Sequence, residues 1–170
     1  MATKWLLDPT HSEITFRVKH LMISNVKGEF TTFNAEIDAE DDTFASAKVS
    51  AFIDTDSIFT NNADRDTHLK SADFFNAEAN PKITFEASTL NGDVTGNLTL
   101  NGITKEITLD VDFGGINSDP WGNTKAGFSF EGKIKRSDFR LTWNAALETG
   151  GVMVSEEVKI NCEIQLVKGA

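Results

Sequence analysis

The chain has 170 residues, 39% of them hydrophobic, with 26 acidic against 16 basic side chains and a net charge of −10. That length fits one domain, with enough apolar content to bury a core unaided by disulfides or a structural metal. The negative balance excludes docking by charge attraction on nucleic acid or anionic lipid head groups, and the lone Cys162 excludes an internal disulfide framework.

At the start, Met1-Ala2-Thr3-Lys4 runs directly into Trp5-Leu6-Leu7-Asp8, without the charged, apolar and small-residue succession of a signal peptide. No apolar run reaches membrane-spanning length. A cytoplasmic protein without an integral membrane segment is expected, or a periplasmic one if a signal peptide has been trimmed.

Alternation with period two, the mark of strands with one buried and one wet face, recurs eight times. Ile14, Phe16 and Val18 alternate with Thr15, Arg17 and Lys19. The second arm carries Phe30 and then Phe33, Ala35 and Ile37, and this change of parity predicts a bulge near Thr31 and Thr32. Ala47, Val49, Ala51 and Ile53 form one face of the third arm, and Ile83, Phe85 and Ala87 that of the fourth.

Between these two arms, Asp56 to Pro81 is rich in Asn and Asp and breaks the rhythm. Ala63 to Ala72 reads as a short helix capped by Asn61 or Asn62, with Phe74 and Phe75 placed to tuck against a barrel end.

The fifth arm shows Val94, Gly96, Leu98 and Leu100, and the sixth Ile103, Ile107, Leu109, Val111 and Phe113. Asn91-Gly92 and Asn101-Gly102 suit two-residue hairpins, because both residue types tolerate positive φ. The seventh arm shows Ala126, Phe128, Phe130, Gly132 and Ile134, and the last Val158, Ile160, Cys162, Ile164 and Leu166. Leu141 to Gly151, between them, is a second irregular stretch that suits a lid or a crossing loop. The fold expected is all-β, an eight-stranded antiparallel barrel with a short helix near one end.

Barrels of this size are either filled by side chains or hollow. The inward positions mix large residues (Phe16, Phe85, Phe128, Leu98) with small ones (Ala51, Ala87, Gly96, Gly132), a pattern that leaves both states open. Gly96 and Gly132 would, in a packed barrel, let the strands coil tightly. Thirteen Phe and no Tyr make the aromatic complement almost wholly apolar, which suits a hydrocarbon guest.

Chemistry-bearing groups are sparse. His11 and His20 fall at opposite ends of the first arm with opposite parity, and no metal-binding or nucleophile motif accompanies them. Ser12 beside His11 is not a nucleophile and base, since neighbouring strand residues face opposite ways. Gly114-Gly115 and Gly150-Gly151 read as loop glycines without a phosphate-cradle context. Arg65, Asp66 and His68 sit on the short helix, where they either pin it by capping and salt bridges or meet a polar head group at the barrel rim.

Taken together, Trp5-Leu6-Leu7-Asp8-Pro9-Thr10-His11-Ser12-Glu13-Ile14-Thr15-Phe16, Arg65-Asp66-Thr67-His68-Leu69-Lys70-Ser71 with Asp73-Phe74-Phe75, Pro81-Lys82-Ile83-Thr84-Phe85, Gly96-Asn97-Leu98-Thr99-Leu100-Asn101-Gly102 and Arg136-Ser137-Asp138-Phe139 resemble the YceI-like family of lipocalin-like polyisoprenoid-binding proteins. The resemblance implies a hollow barrel that takes a prenyl chain, as in isoprenoid quinones or prenyl phosphates, with fatty amides as further guests. It also implies a homodimer. Two departures stand out: Arg140 follows Phe139 where the family usually has Gly, and there is no Tyr to offer hydroxyl contacts.

The function expected is storage or transport of a polyisoprenoid or similar amphiphilic lipid, without a cofactor, catalytic residue or metal. Tail contacts are expected from Phe16, Val18, Val49, Phe85, Leu98, Leu109, Phe128 and Ile160, and rim contacts from Arg65 and His68. Two other classes stay open: a lipid-modifying enzyme with its polar site at His68 and Arg65, and a packed barrel serving as an interaction module.

Overall fold

A computed structural model describes residues 2–20, 23–71, 74–141 and 156–169. Among them eleven antiparallel strands form one sheet: β1 (Thr3–Leu7), β2 (Glu13–His20), β3 (Ser24–Phe30), β4 (Phe33–Ala39), β5 (Ala47–Asp54), β6 (Ile58–Phe59), β7 (Lys82–Ala87), β8 (Val94–Leu100), β9 (Ile103–Ser118), β10 (Thr124–Lys135) and β11 (Glu157–Lys168). The pairing β1–β11 closes the ring β1-β4-β5-β7-β8-β9-β10-β11. Closure leaves few free edges, the usual liability of antiparallel sheets.

The eight arms expected from alternation are all present, two of them interrupted. The first consists of β1 and β2, which lie end to end along β11: Leu7 faces Leu166, and Glu13 faces Glu163. A 3-10 turn at Pro9–His11 separates them, with Asp8 as its cap accepting from Thr10 N. His11 is therefore in this turn and not on a strand, which corrects its expected place at the end of the arm. Proline at the start of the turn removes a ladder donor, so the strand stops there.

The second arm consists of β3 and β4, broken at Thr31 and Thr32, where the parity change predicted a bulge. Here the two threonines leave the ladder altogether: Thr31 N donates to Ser57 O, and Thr32 O accepts from Asp54 N. Beyond this point β3 parts from β5, and the short β6 pairs with it through Glu29–Phe59 and Phe30–Ile58.

The helix α1 spans Ala63–Lys70, two residues shorter than expected. Asn62 caps it, its side chain accepting from Arg65 N, while Asn61 takes a left-handed φ of 63°. Ser71 ends it, with both its N–H and its hydroxyl donating to His68 O.

Asn101-Gly102 forms the two-residue hairpin, with φ of 54° and 75° between the paired Leu100 and Ile103. Asn91-Gly92 does not: Ala87 pairs with Gly96, so this connection is longer, and Leu90 turns inward with its N–H on Phe44 O. Burial of Leu90 outweighs the local turn preference. Gly114 and Gly115 also depart from expectation, lying inside β9 at a bulge where Gly127 faces Gly115 and Phe128 faces Phe113. Most of the Leu141 to Gly151 stretch, including Gly150-Gly151, lies outside the described residues.

Two apolar clusters form the core of the barrel. One gathers Trp5, Phe44, Val94, Ala126, Phe128 and Leu166, and the other Phe30, Ile58, Ile83, Leu100, Phe139 and Leu141. Members of both border a cavity inside the barrel.

Candidate functional site

A cavity of about 620 Å³ runs through the middle of the barrel, well inside the range of small-molecule sites. It is walled by inward positions of nearly every arm. Phe16 and Val18 come from β2, Val49 from β5, Phe85 from β7, Leu98 from β8, Leu109 from β9, Phe128 from β10 and Ile160 from β11, and all eight line it. Period-two alternation puts them there, since each shares its parity with other apolar residues of its strand, as Phe16 and Val18 do with Ile14.

The lumen is hollow because several large side chains lean sideways onto glycines of the next strand. Phe16 on β2 faces Gly28 on β3, and a Cβ added at Gly28 would lie 2.3 Å from Phe16 Cζ. A Cβ on Gly96 would lie 2.6 Å from Phe85 Cζ, and one on Gly132 would lie 2.4 Å from Leu109 Cδ2. Each bulky group thus occupies the room that the missing side chain leaves along the wall, and does not reach across the middle. This decides the question that composition left open, and it gives Gly96 and Gly132 a role beyond easing strand curvature.

Phe128, Leu90, Leu7 and Leu166 line part of the lumen, and Phe44 packs in one cluster with Phe128, Leu90 and Leu166. The Phe44 ring is fully buried, edge-on to Phe128 with centroids 5.0 Å apart, and 5.3 Å from the Trp5 ring.

The lumen is also bordered by α1 and the residues leading into it: Thr60, Asn62, Asp64, Arg65, His68 and Leu69, with Phe74 and Phe75. Both expected rim residues, Arg65 and His68, are therefore at the cavity. Arg65 also has a structural task. Its Nε donates to Thr60 Oγ1 at 2.8 Å and its Nη2 to Thr60 O at 2.5 Å, while Asp66 Oδ1 accepts from Thr60 N at 2.9 Å. The two side chains clamp the turn into α1, so pinning of the helix and a place at the rim coexist. His68 packs its ring edge-on to Phe74, with centroids 5.1 Å apart.

Arg136 was not among the expected rim residues, though it opens the Arg136-Ser137-Asp138-Phe139 motif. It lines the cavity, is buried, and donates from Nη1 to Leu141 O at 2.7 Å. Burial lowers its pKa, against the opposing pull of Glu156. Nothing in the alternation could have found it, because it lies in a 3-10 turn, Arg136–Phe139, just past β10.

Cys162 also lines the lumen and is partly buried. Burial, and then the carboxylates of Glu163 and Glu13, push its thiol up to about 12. It is an inert wall residue. Among the described residues, no group of three or more His, Cys, Asp or Glu is arranged to hold a metal ion. None of the helices among them is long and apolar enough to cross a membrane.

Known proteins share this architecture. The Campylobacter jejuni YceI protein superimposes with a TM-score of 0.76 over 89% of this chain and 90% of its own, at 37% identity. BcnA of Burkholderia cenocepacia gives a TM-score of 0.79 over 94% and 98% of the two chains at 23% identity, and a polyisoprenoid binding domain from Saccharophagus degradans gives 0.71 over 97% and 98% at 16%, likenesses of fold alone. In sequence, a UPF0312 protein of Staphylococcus epidermidis is 43% identical over 165 residues, covering 96% of each chain. The profile of the YceI-like domain matches residues 5–166, nearly the whole barrel, and the chain belongs to the YceI-like family.

Proposed function

We propose that this protein binds a polyisoprenoid or similar long-chain amphiphilic lipid, a prenyl quinone, prenyl phosphate or fatty amide, and stores or transports it. The tail lies in the lumen against Phe16, Val18, Val49, Phe85, Leu98, Leu109, Phe128 and Ile160, and the head group lies beside Arg65 and His68. The single observation that carries this is a lumen of about 620 Å³ that is apolar along its walls and bordered by the polar groups of α1. That is the polarity profile of an amphiphile. The family membership and the shared fold of a domain described as polyisoprenoid binding support it.

No covalent chemistry is needed for such a role. Transfer of each methylene from water into an apolar site is worth about 0.8 kcal/mol, which exceeds the ordering cost of a flexible tail once the chain is long. Specificity then falls to the few polar groups at the α1 end. Arg65 has five N–H donors and Thr60 takes two, so a guanidinium already held in place can still meet an anionic or carbonyl head.

Native mass spectrometry of the purified protein, followed by organic extraction and lipid identification, tests the proposal. A stoichiometric prenyl lipid or quinone is expected. A mass equal to the bare chain, with no uptake of added prenyl lipids, would overturn it.

A further inference from the structure

We infer that the outer face of β2, β3, β10 and β11 docks this protein on an anionic lipid bilayer, with the β2–β3 turn entering the interface. Strand register assembles the surface. Lys133 on β10 faces Lys159 on β11, Lys159 faces Arg17 on β2, and Arg17 faces Lys27 on β3. All four are exposed, and the reverse of this wall, through Phe16, Val18, Val26 and Ile160, lines the lumen. With strands about 4.8 Å apart, the row sets four cations within about 15 Å.

Two residues nearer the strand ends, Lys135 faces Glu157 and Lys19 faces Asn25. Glu157, which also lies 3.8 Å from Lys133, is the one carboxylate among the residues of these two rows. On the other side the next row reads Glu131, Asn161, Thr15 and Glu29, with its carboxylates at the flanks alone. Six of the sixteen basic side chains thus share one face of a chain whose net charge is −10. Like charges directly opposite one another destabilise a sheet, so the barrel gains nothing from the row by itself. Net charge excluded attraction to anionic head groups for the chain as a whole, and the register corrects that for this face. Carboxylates elsewhere on the barrel lie beyond the Debye length of about 8 Å at physiological salt and are screened.

Beyond Lys19 and Asn25, in the turn between β2 and β3, Ile23 is 84% exposed. The short β6 pairs antiparallel with β3, runs toward that turn and leads into Asn62 and α1, so the rim of the lumen and Ile23 are at the same end of the barrel. An exposed apolar side chain flanked by cations is the pattern of an interfacial membrane anchor. A nucleic acid or an acidic protein would answer the charge and leave Ile23 in water. Trp121, 83% exposed, lies at the opposite end in the β9–β10 turn, where its N–H donates to Asp119, a carboxylate that repels an anionic surface. A bilayer is also where the cargo of the lipid-binding proposal, on which this choice of partner rests, is collected or released.

The test is co-sedimentation of the full chain with vesicles of phosphatidylcholine, alone or with about 30% phosphatidylglycerol and free of prenyl lipid, at about 50 mM and about 500 mM salt. The wild type should prefer the anionic vesicles by about tenfold or more and lose that preference at the higher salt. Each Lys or Arg near an anionic surface is worth about fivefold in binding, so Lys27→Gln/Lys159→Gln should weaken it by about twentyfold. Lys48→Gln/Lys105→Gln removes the same charge from exposed positions on β5 and β9 and should change it by less than about twofold. Ile23→Ser should weaken binding to either vesicle by about fivefold, and Trp121→Ser should leave it unchanged. Equal losses from the two lysine pairs would overturn the role of the row, and an unaffected Ile23→Ser variant would overturn entry of the turn. A wild type without preference for anionic vesicles, or one retained on a duplex DNA fragment but not on vesicles, would overturn the bilayer as partner. Vesicle binding by a chain whose lumen stays empty in native mass spectrometry would uphold the docking surface and overturn the lipid-binding proposal instead.

Discussion

The tip of the Phe16 ring occupies the place that a Cβ on Gly28 would fill, with three ring atoms within 2.9 Å of that position. The two residues face each other directly across β2 and β3. Gly28→Ala therefore forces the ring off the wall and into the lumen. We expect a loss of about 1–3 kcal/mol in urea unfolding and a shorter longest bound tail. Gly28→Ala/Phe16→Leu should restore both. If the double variant holds no longer a tail than the single one, Phe16 is not what the glycine accommodates.

Ile160 is only partly buried and lines the cavity. Ile160→Glu should fold with a native far-UV spectrum while lowering uptake of a fluorescent prenyl probe by a hundredfold or more, because an ionised carboxylate would be buried beside the tail. Uptake within threefold of wild type would show that tails do not pass this strand.

Asp8 clasps the break between β1 and β2 to β10. Burial raises its carboxyl pKa, but hydrogen bonds from the Lys125 ammonium, His11 and Thr10 outweigh that and hold it well below the usual carboxylate range. Above the ordinary value of 3.8 the carboxylate is charged in both folded and unfolded chains, so the clasp contributes fully at neutral pH. Its contribution fades as pH falls from there toward the folded value. Asp8→Asn should cost about 1–2 kcal/mol at pH 7, and the gap from wild type should narrow below about pH 4 in paired thermal melts.

Arg140 has φ of 55° as the residue that ends the Arg136–Phe139 turn. Glycine takes that conformation without the Cβ penalty, so Arg140→Gly should raise stability by about 0.5–1 kcal/mol. A melting temperature equal to or below that of wild type would mean that the arginine side chain makes up for its backbone.

Cys162 should resist alkylation by iodoacetamide at pH 8 in the native protein and react fully in urea, since its thiol is buried and pushed up to about 12. Rapid native modification would place water, and not apolar wall, at that position.

The eight arms were legible in the sequence because a strand with one buried face has no freedom in its period: Ile103 to Phe113 and Val158 to Leu166 fix their own parity. The walls of the cavity were legible for the same reason. Its hollowness was implied by the family resemblance but not by the alternation, since it depends on pairs such as Phe85 and Gly96, which meet only through the register of two strands. Phe44 was invisible too: in Asp41-Asp42-Thr43-Phe44 no periodicity applies, and its inward aim needs a positive φ that a phenylalanine does not advertise. Asn91-Gly92 misled because turn preference is a local matter, whereas Leu90 is held by Phe44 from another loop.

The two-pair contact of β6 with β3 gives the barrel a weak line. Among the described residues, β3 is held on that side by sheet pairing at Glu29–Phe59 and Phe30–Ile58 alone, while β10 and β11 share eleven consecutive pairs. The amides of β6 and its neighbours should exchange with deuterium well before those of β11. An over-long tail pressing from within would then not strain the wall evenly. It would part the seam beside α1, so the barrel widens there and stays rigid along β10 and β11.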